Sequence, residues 1–105
     1  MHARVAAAGL ALMAMAPHAP HAPVMHVVRV SGFRFEPETL TVAPGDSVRW
    51  VNADILRHTA TADDSSFGTP ELPTDSAATA AAPAAGIHPY HCDAHPVMRG
   101  VLVVR

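Results

Sequence analysis

From Val28 to Trp50 the apolar side chains fall two residues apart, as Val28 and Val30, Phe33 and Phe35, Leu40 and Val42, then Val48 and Trp50. A period of two belongs to a strand with one face buried and the other wet, so these stretches predict short β-strands. Glu36-Pro37-Glu38 and Ala43-Pro44-Gly45-Asp46 stand between them as turn signals, at the spacing of a two-sheet sandwich. At the far end, Gly100-Val101-Leu102-Val103-Val104 has the β-branched run of a terminal core strand. Asp63 to Ala85 offers Ser, Gly, Pro and a run of Ala with neither period nor bulk, which predicts a loop and then a weakly packed strand near Ala77 to Ala82. Trp50 and the two phenylalanines Phe33 and Phe35 are assigned to the core. The fold class is all-β, a β-sandwich formed by residues 24–105.

The residues before it read differently. His2 and Arg4 precede an apolar run from Val5 to the small-x-small triplet Ala14-Met15-Ala16. The run falls short of the roughly 20 residues that span a bilayer, so residues 1–16 are expected to be a secretory signal peptide, with no stable membrane insertion. Pro17-His18-Ala19-Pro20-His21-Ala22-Pro23 favours an extended linker, because its prolines lack amide donors. The chain is thus expected to be exported, periplasmic or secreted, and to act as a monomer. With Lys+Arg 7 against Asp+Glu 9 it has no basic surface for a nucleic-acid backbone.

One Cys among 105 residues excludes an intramolecular disulfide and any C-x-x-C metal or haem motif. That Cys stands in His91-Cys92-Asp93-Ala94-His95-Pro96-Val97-Met98, where a thiol, an imidazole and a thioether recur at intervals of three. A tight loop returning every three residues can aim Cys92, His95 and Met98 at one point. His58, after the strand Ser47 to Val51 and its Asn52-Ala53-Asp54 turn, is the best fourth ligand. Two histidines, a cysteine and a weak axial methionine suit copper that cycles between Cu(I) and Cu(II), because the polarizable thiolate stabilises Cu(I) and imidazole serves both states. Each residue also has a plainer reading. Cys92 could be a buried thiol and Met98 a core filler, while His91 has the parity of a solvent-facing residue and His88 that of a core-edge one.

Taken together, Phe33-x-Phe35-x-Pro37, Leu40-x-Val42-x-x-Gly45-Asp46-x-Val48-x-Trp50-x-Asn52, His58-Thr59 and Tyr90-His91-Cys92-x-x-His95-Pro96-x-Met98-Arg99-Gly100 resemble the cupredoxins, the small blue-copper group of amicyanins, pseudoazurins and plastocyanins, and above all the amicyanins. The resemblance implies a Greek-key β-sandwich and a type 1 site holding one copper per chain with His58, Cys92, His95 and Met98 as metal ligands. It also implies a one-electron carrier, not an enzyme, that docks transiently on redox partner proteins near His95. By the same resemblance the Thr59 amide donates to the cysteine sulfur, and His95 is the more exposed imidazole, opening onto an apolar patch with Pro96 and Val97. The alternative is an exported module that sequesters or delivers copper, with His18 and His21 collecting the metal weakly. Two departures stand out. Ala80-Ala81-Ala82-Pro83-Ala84-Ala85 replaces a bulky strand, and His88 takes a position commonly held by Tyr, so a tyrosine-corner hydrogen bond is expected to be missing.

Overall fold

A computed structural model describes residues 21–105. The expected signal peptide, residues 1–16, and the linker as far as residue 20, with His18, lie outside the described residues. The described chain forms eight strands: β1 Met25–Ser31, β2 Arg34–Glu36, β3 Thr39–Val42, β4 Ser47–Asn52, β5 Thr61–Ala62, β6 Ala77–Ala81, β7 Gly86–His91 and β8 Arg99–Val104. They make two four-stranded sheets, ordered β2-β1-β4-β6 and β3-β8-β7-β5. Each sheet has one parallel pairing, β1 beside β4 in the first and β3 beside β8 in the second. Among the described residues no helix is long and apolar enough to cross a membrane.

The period-two pattern is realised where it was strongest. Val28, Val30, Val48 and Trp50 from the first sheet and Val42, Leu102 and Val104 from the second are buried between the layers. Tyr90 joins them, with its ring centroid 4.7 Å from Phe35, 5.8 Å from Trp50 and 5.6 Å from Phe67. Phe67 also stacks on Trp50 at 5.2 Å, so the segment that lacked a pattern still supplies an aromatic to the core. The weak strand near Ala77 is β6, which pairs antiparallel with β4 at the sheet edge. Its Ala80 and Ala78 stand opposite Val48 and Trp50 in the ladder and bring only methyl groups to the core.

Two expectations change. Phe33 is 47% exposed and sits at φ +59° in the β1–β2 turn, so its strand parity with Phe35 does not bring it into the core. At the corner before β7 the missing tyrosine is replaced functionally. The His88 ring contacts the Ala84 carbonyl four residues upstream at 2.7 Å through Nε2 and the Asp64 carboxylate at 2.7 Å through Nδ1. An imidazolium offers donors at both nitrogens, so this ring ties the corner to the chain as a phenol would. The Ala84 carbonyl, followed by Asp64, accordingly raises the His88 pKa against the effect of burial.

Candidate metal centre

Two loops at one end of the sandwich build the site. The first leaves β4 at Asn52, a buried residue whose side chain organises the turn: Nδ2 donates to the Leu56 and Leu72 carbonyls, each at 2.8 Å, and Oδ1 accepts the Asp54 N–H at 2.9 Å. Reciprocal backbone bonds with Leu72, 3.2 and 2.8 Å, then fix His58. The second loop leaves β7 at Cys92. Its N–H groups return to carbonyls three residues back, His95 to Cys92 at 3.2 Å and Met98 to His95 at 2.8 Å, and Cys92 N–H donates to the Met98 carbonyl at 3.2 Å. The spacing of three thus reflects two successive turns closed into one ring.

His58, Cys92 and His95 converge: their donor atoms all lie within 4.8 Å of one another. Cys92 Sγ is 3.7 Å from His58 Nδ1 and 3.6 Å from His95 Nδ1. With metal–sulfur and metal–nitrogen bonds of about 2.3 and about 2.0 Å, donors on one ion stand about 3.5–3.7 Å apart for angles between tetrahedral and trigonal. The donor set therefore fits one metal ion, and its thiolate and imidazole chemistry is that of copper or zinc. Cys92 and His58 are buried whereas His95 is half-buried, as anticipated. Met98 is 3% exposed in the same loop and joined to both Cys92 and His95 through its backbone. The other described histidines are engaged elsewhere: His88 as above, His91 with Asp63 and Asp93, His26 and His21 with Asp46.

Around the donors the polar contacts are specific. Thr59 N–H donates to Cys92 Sγ at 3.4 Å, the bond that the family resemblance implies, and Thr59 Oγ1 accepts the Asp93 N–H at 2.9 Å, pinning one loop to the other. Two neighbours were not legible as such in the sequence. Phe33 lies edge-on to both ligand-type rings, 5.4 Å from His58 and 5.1 Å from His95. Asp54 Oδ2 stands 2.9 Å from His58 Nε2. Partial burial opposes the Asp54 charge, but the Phe33 and Gly32 N–H groups and His58 outweigh it and hold the carboxyl below its ordinary value. The four-residue interval from Asp54 to His58 was the available signal.

Comparison with known proteins gives consistent relatives. No family model matches the chain. Amicyanin of Paracoccus denitrificans is 30% identical over 83 residues, covering 74% of this chain and 63% of that protein, so the chain spans less than two thirds of this curated relative's length. The Cu(I) form of an amicyanin variant superposes with a TM-score of 0.71 at 30% identity, over 81% of this chain and 86% of that one. The oxidized state of another amicyanin variant gives 0.71 at 30%, over 77% and 82%. A Cu-containing nitrite reductase from Thermus scotoductus gives 0.72 at 28%, over 88% of this chain but only 26% of that enzyme.

Proposed function

The chain belongs to the cupredoxin family, and from that premise we propose that it is a one-electron carrier whose His58, Cys92, His95 and Met98 hold a single type 1 copper. The observation that carries the reading is the convergence of one buried thiol and two imidazole Nδ1 atoms, 3.6 and 3.7 Å from the sulfur, in loops already closed by their own hydrogen bonds. Bound there, copper supplies a Cu(I)/Cu(II) couple. The protein's part is to keep the donors in place in both states. The ring of bonds through Cys92, His95 and Met98 and the Thr59–Asp93 tie resist displacement of the loop. Thr59 N–H withdraws charge from the sulfur, and burial of Cys92 excludes water and oxidants. Four protein donors leave no position for a substrate, which favours a carrier over an enzyme.

The half-buried His95 ring, beside Phe33 and the exposed Pro96 and Val97, is the part of the donor set that a redox partner protein can approach. Contacts there should be small, since a carrier must dissociate. The finer readings travel with this proposal: a Greek-key connection of the sheets, a signal peptide over residues 1–16, export, and a monomer in solution.

Adding Cu(II) to the purified metal-free protein tests it. One equivalent should bind with intense visible absorption from sulfur-to-copper charge transfer, and Cys92→Ser should bind without colour. Blue absorption that survives Cys92→Ser, or colourless copper in the wild type, refutes the assignment. Ready transfer of Cu(I) to a competing chelator would favour delivery over electron transport.

A further inference from the structure

Asp46 closes the turn before β4, at the opposite end of that strand from Asn52 and the loop to His58. The strand between them spans roughly 20 Å. The Asp46 backbone is pinned on both sides, its N–H donating to the Ala43 carbonyl at 3.1 Å and its carbonyl accepting the Ala82 N–H at 2.9 Å. Its side chain is 3% exposed. Oδ1 accepts the Val24 N–H at 2.9 Å and Oδ2 the Ala43 N–H at 3.0 Å. A carboxylate offers about four lone-pair sites, so each oxygen keeps a further one. An imidazole stands by each: His26 Nε2 is 2.9 Å from Oδ2 and His21 Nε2 is 3.7 Å from Oδ1. His26, then the Ala43 and Val24 amides, hold the carboxyl down at about 2, so it stays ionised through the neutral range.

We propose that His21, His26 and Asp46 form a second cation site, separate from the copper centre, for a borderline divalent ion such as Zn(II) that takes imidazole nitrogen and carboxylate oxygen together. With bonds of about 2.0–2.2 Å, a nitrogen and an oxygen on one ion stand about 2.8–3.7 Å apart for angles of about 90–120°. Both observed distances fall in that range. Among the described residues only His58, Cys92 and His95 are gathered within 4.8 Å, so closing this second set requires the His21 ring to swing toward His26. The His21 side chain is 49% exposed, on the segment leading into β1, which leaves it room to do so. Burial and the two amides already fix the carboxylate, so the ordering cost falls mainly on His21. Nitrogen and oxygen donors without sulfur favour Zn(II) or Cu(II) over Cu(I), and the imidazoles set the site apart from one for Mg(II). An ion there would fasten residues 21–26 to the turn between β3 and β4. A purely structural tie would use His26 and Asp46 but would have no need of His21.

Zn(II), diamagnetic and colourless, is the probe, titrated into the full metal-free chain and followed by amide NMR. The Val24 and Ala43 N–H groups, bonded to Asp46, report the second site, and the Thr59 N–H, bonded to Cys92 Sγ, reports the first. Both sets should shift and saturate, whereas Mg(II) at the same concentration should move neither. His21→Gln alters only a half-exposed side chain and leaves the His26–Asp46 contact in place. It should weaken the Val24 and Ala43 response at least about tenfold, since even the outer partners of a metal site typically matter 10–100-fold, while the Thr59 response stays as it was. His26→Gln should do the same. Val24 and Ala43 signals that ignore Zn(II), that respond equally in wild type and His21→Gln, or that follow Mg(II) as readily would overturn the proposal and leave His26 and Asp46 a structural tie. A chain that responds to Zn(II) at Val24 and Ala43 but gives no blue colour with Cu(II) would keep this site and lose the carrier reading.

Discussion

Gly100 faces Tyr90 across the β7–β8 ladder, and a methyl group there has nowhere to go. A Cβ at Gly100 would lie 2.4 Å from Tyr90 Cζ, 2.6 Å from Oη and 2.7 Å from Cε2, where carbon atoms in contact prefer about 3.5–4.0 Å. The ring cannot yield, because Phe35, Trp50 and Phe67 already pack around it and Tyr90 is 1% exposed. Overpacking of this kind costs about 1–3 kcal/mol, and the enclosed aromatic places Gly100→Ala toward the upper end. Replacing glycine also restricts the unfolded chain, which offsets about 0.4–1 kcal/mol. The expected result is a loss of about 2 kcal/mol. For a domain of this size that corresponds to a fall in Tm of about 8–16 °C. Urea unfolding of the metal-free protein measures it, with the m-value unchanged if the folded state stays compact. In a Tyr90→Leu background, where the three clashing atoms are gone, the same substitution should be neutral or stabilising. A Gly100→Ala protein within about 0.5 kcal/mol of wild type would show that Tyr90 can move, and would refute the packing argument.

Two further outcomes follow from the site and its neighbourhood. Met98→Leu removes a thioether that donates to Cu(II), so voltammetry should find a raised potential, on the order of 59 mV for each tenfold change in relative affinity, and an unchanged or lower potential would assign Met98 to packing alone. The His88–Asp64 pair predicts a stability plateau in the metal-free protein. The raised pKa of His88 gives stabilisation that is complete below 6.5 and lost as pH climbs through the raised value. The carboxyl of Asp64, lowered to about 2 by the Ser66 hydroxyl, the Ser66 N–H and His88, stabilises above 3.8 and ceases to do so as pH falls toward about 2. His88→Gln should flatten the alkaline decline in the urea midpoint; a decline of undiminished slope would place its origin in other groups.

Most of the sandwich was legible because burial on one face of a strand writes a period of two, and the Cys92, His95 and Met98 interval was legible because tight turns repeat every three residues. His58 was found from its place after β4, since the sandwich end brings that loop to the one after β7. What escaped depends on single long-range contacts. Phe33 has the parity of Phe35, yet the Gly32-Phe33 turn reverses the chain and the Asp54 carboxylate, 21 positions along, holds it outside. His88 was read as losing a corner bond because only a phenol was considered, whereas an imidazole with a carboxylate partner reaches the same carbonyl. Phe67 stands in a segment with no repeating pattern, so its stacking on Trp50 has no local signature.

The parallel pairing of β3 with β8 bears on how safely this protein is made. Thr39 to Val42 must wait for Val101 to Val104, at the far end of the described chain, before the second sheet can close. Such distant partners put a domain among the slow folders, at milliseconds to seconds rather than microseconds. Cys92 lies just ahead of β8, and in the folded chain it is fully buried and accepts the Thr59 N–H. Until then the thiol is open to the oxidation that folding later prevents. A copy oxidised to the sulfinic or sulfonic level in that interval would carry a sulfur no longer able to bind metal, so slow closure of the second sheet lengthens the exposure of the one thiol on which the site depends.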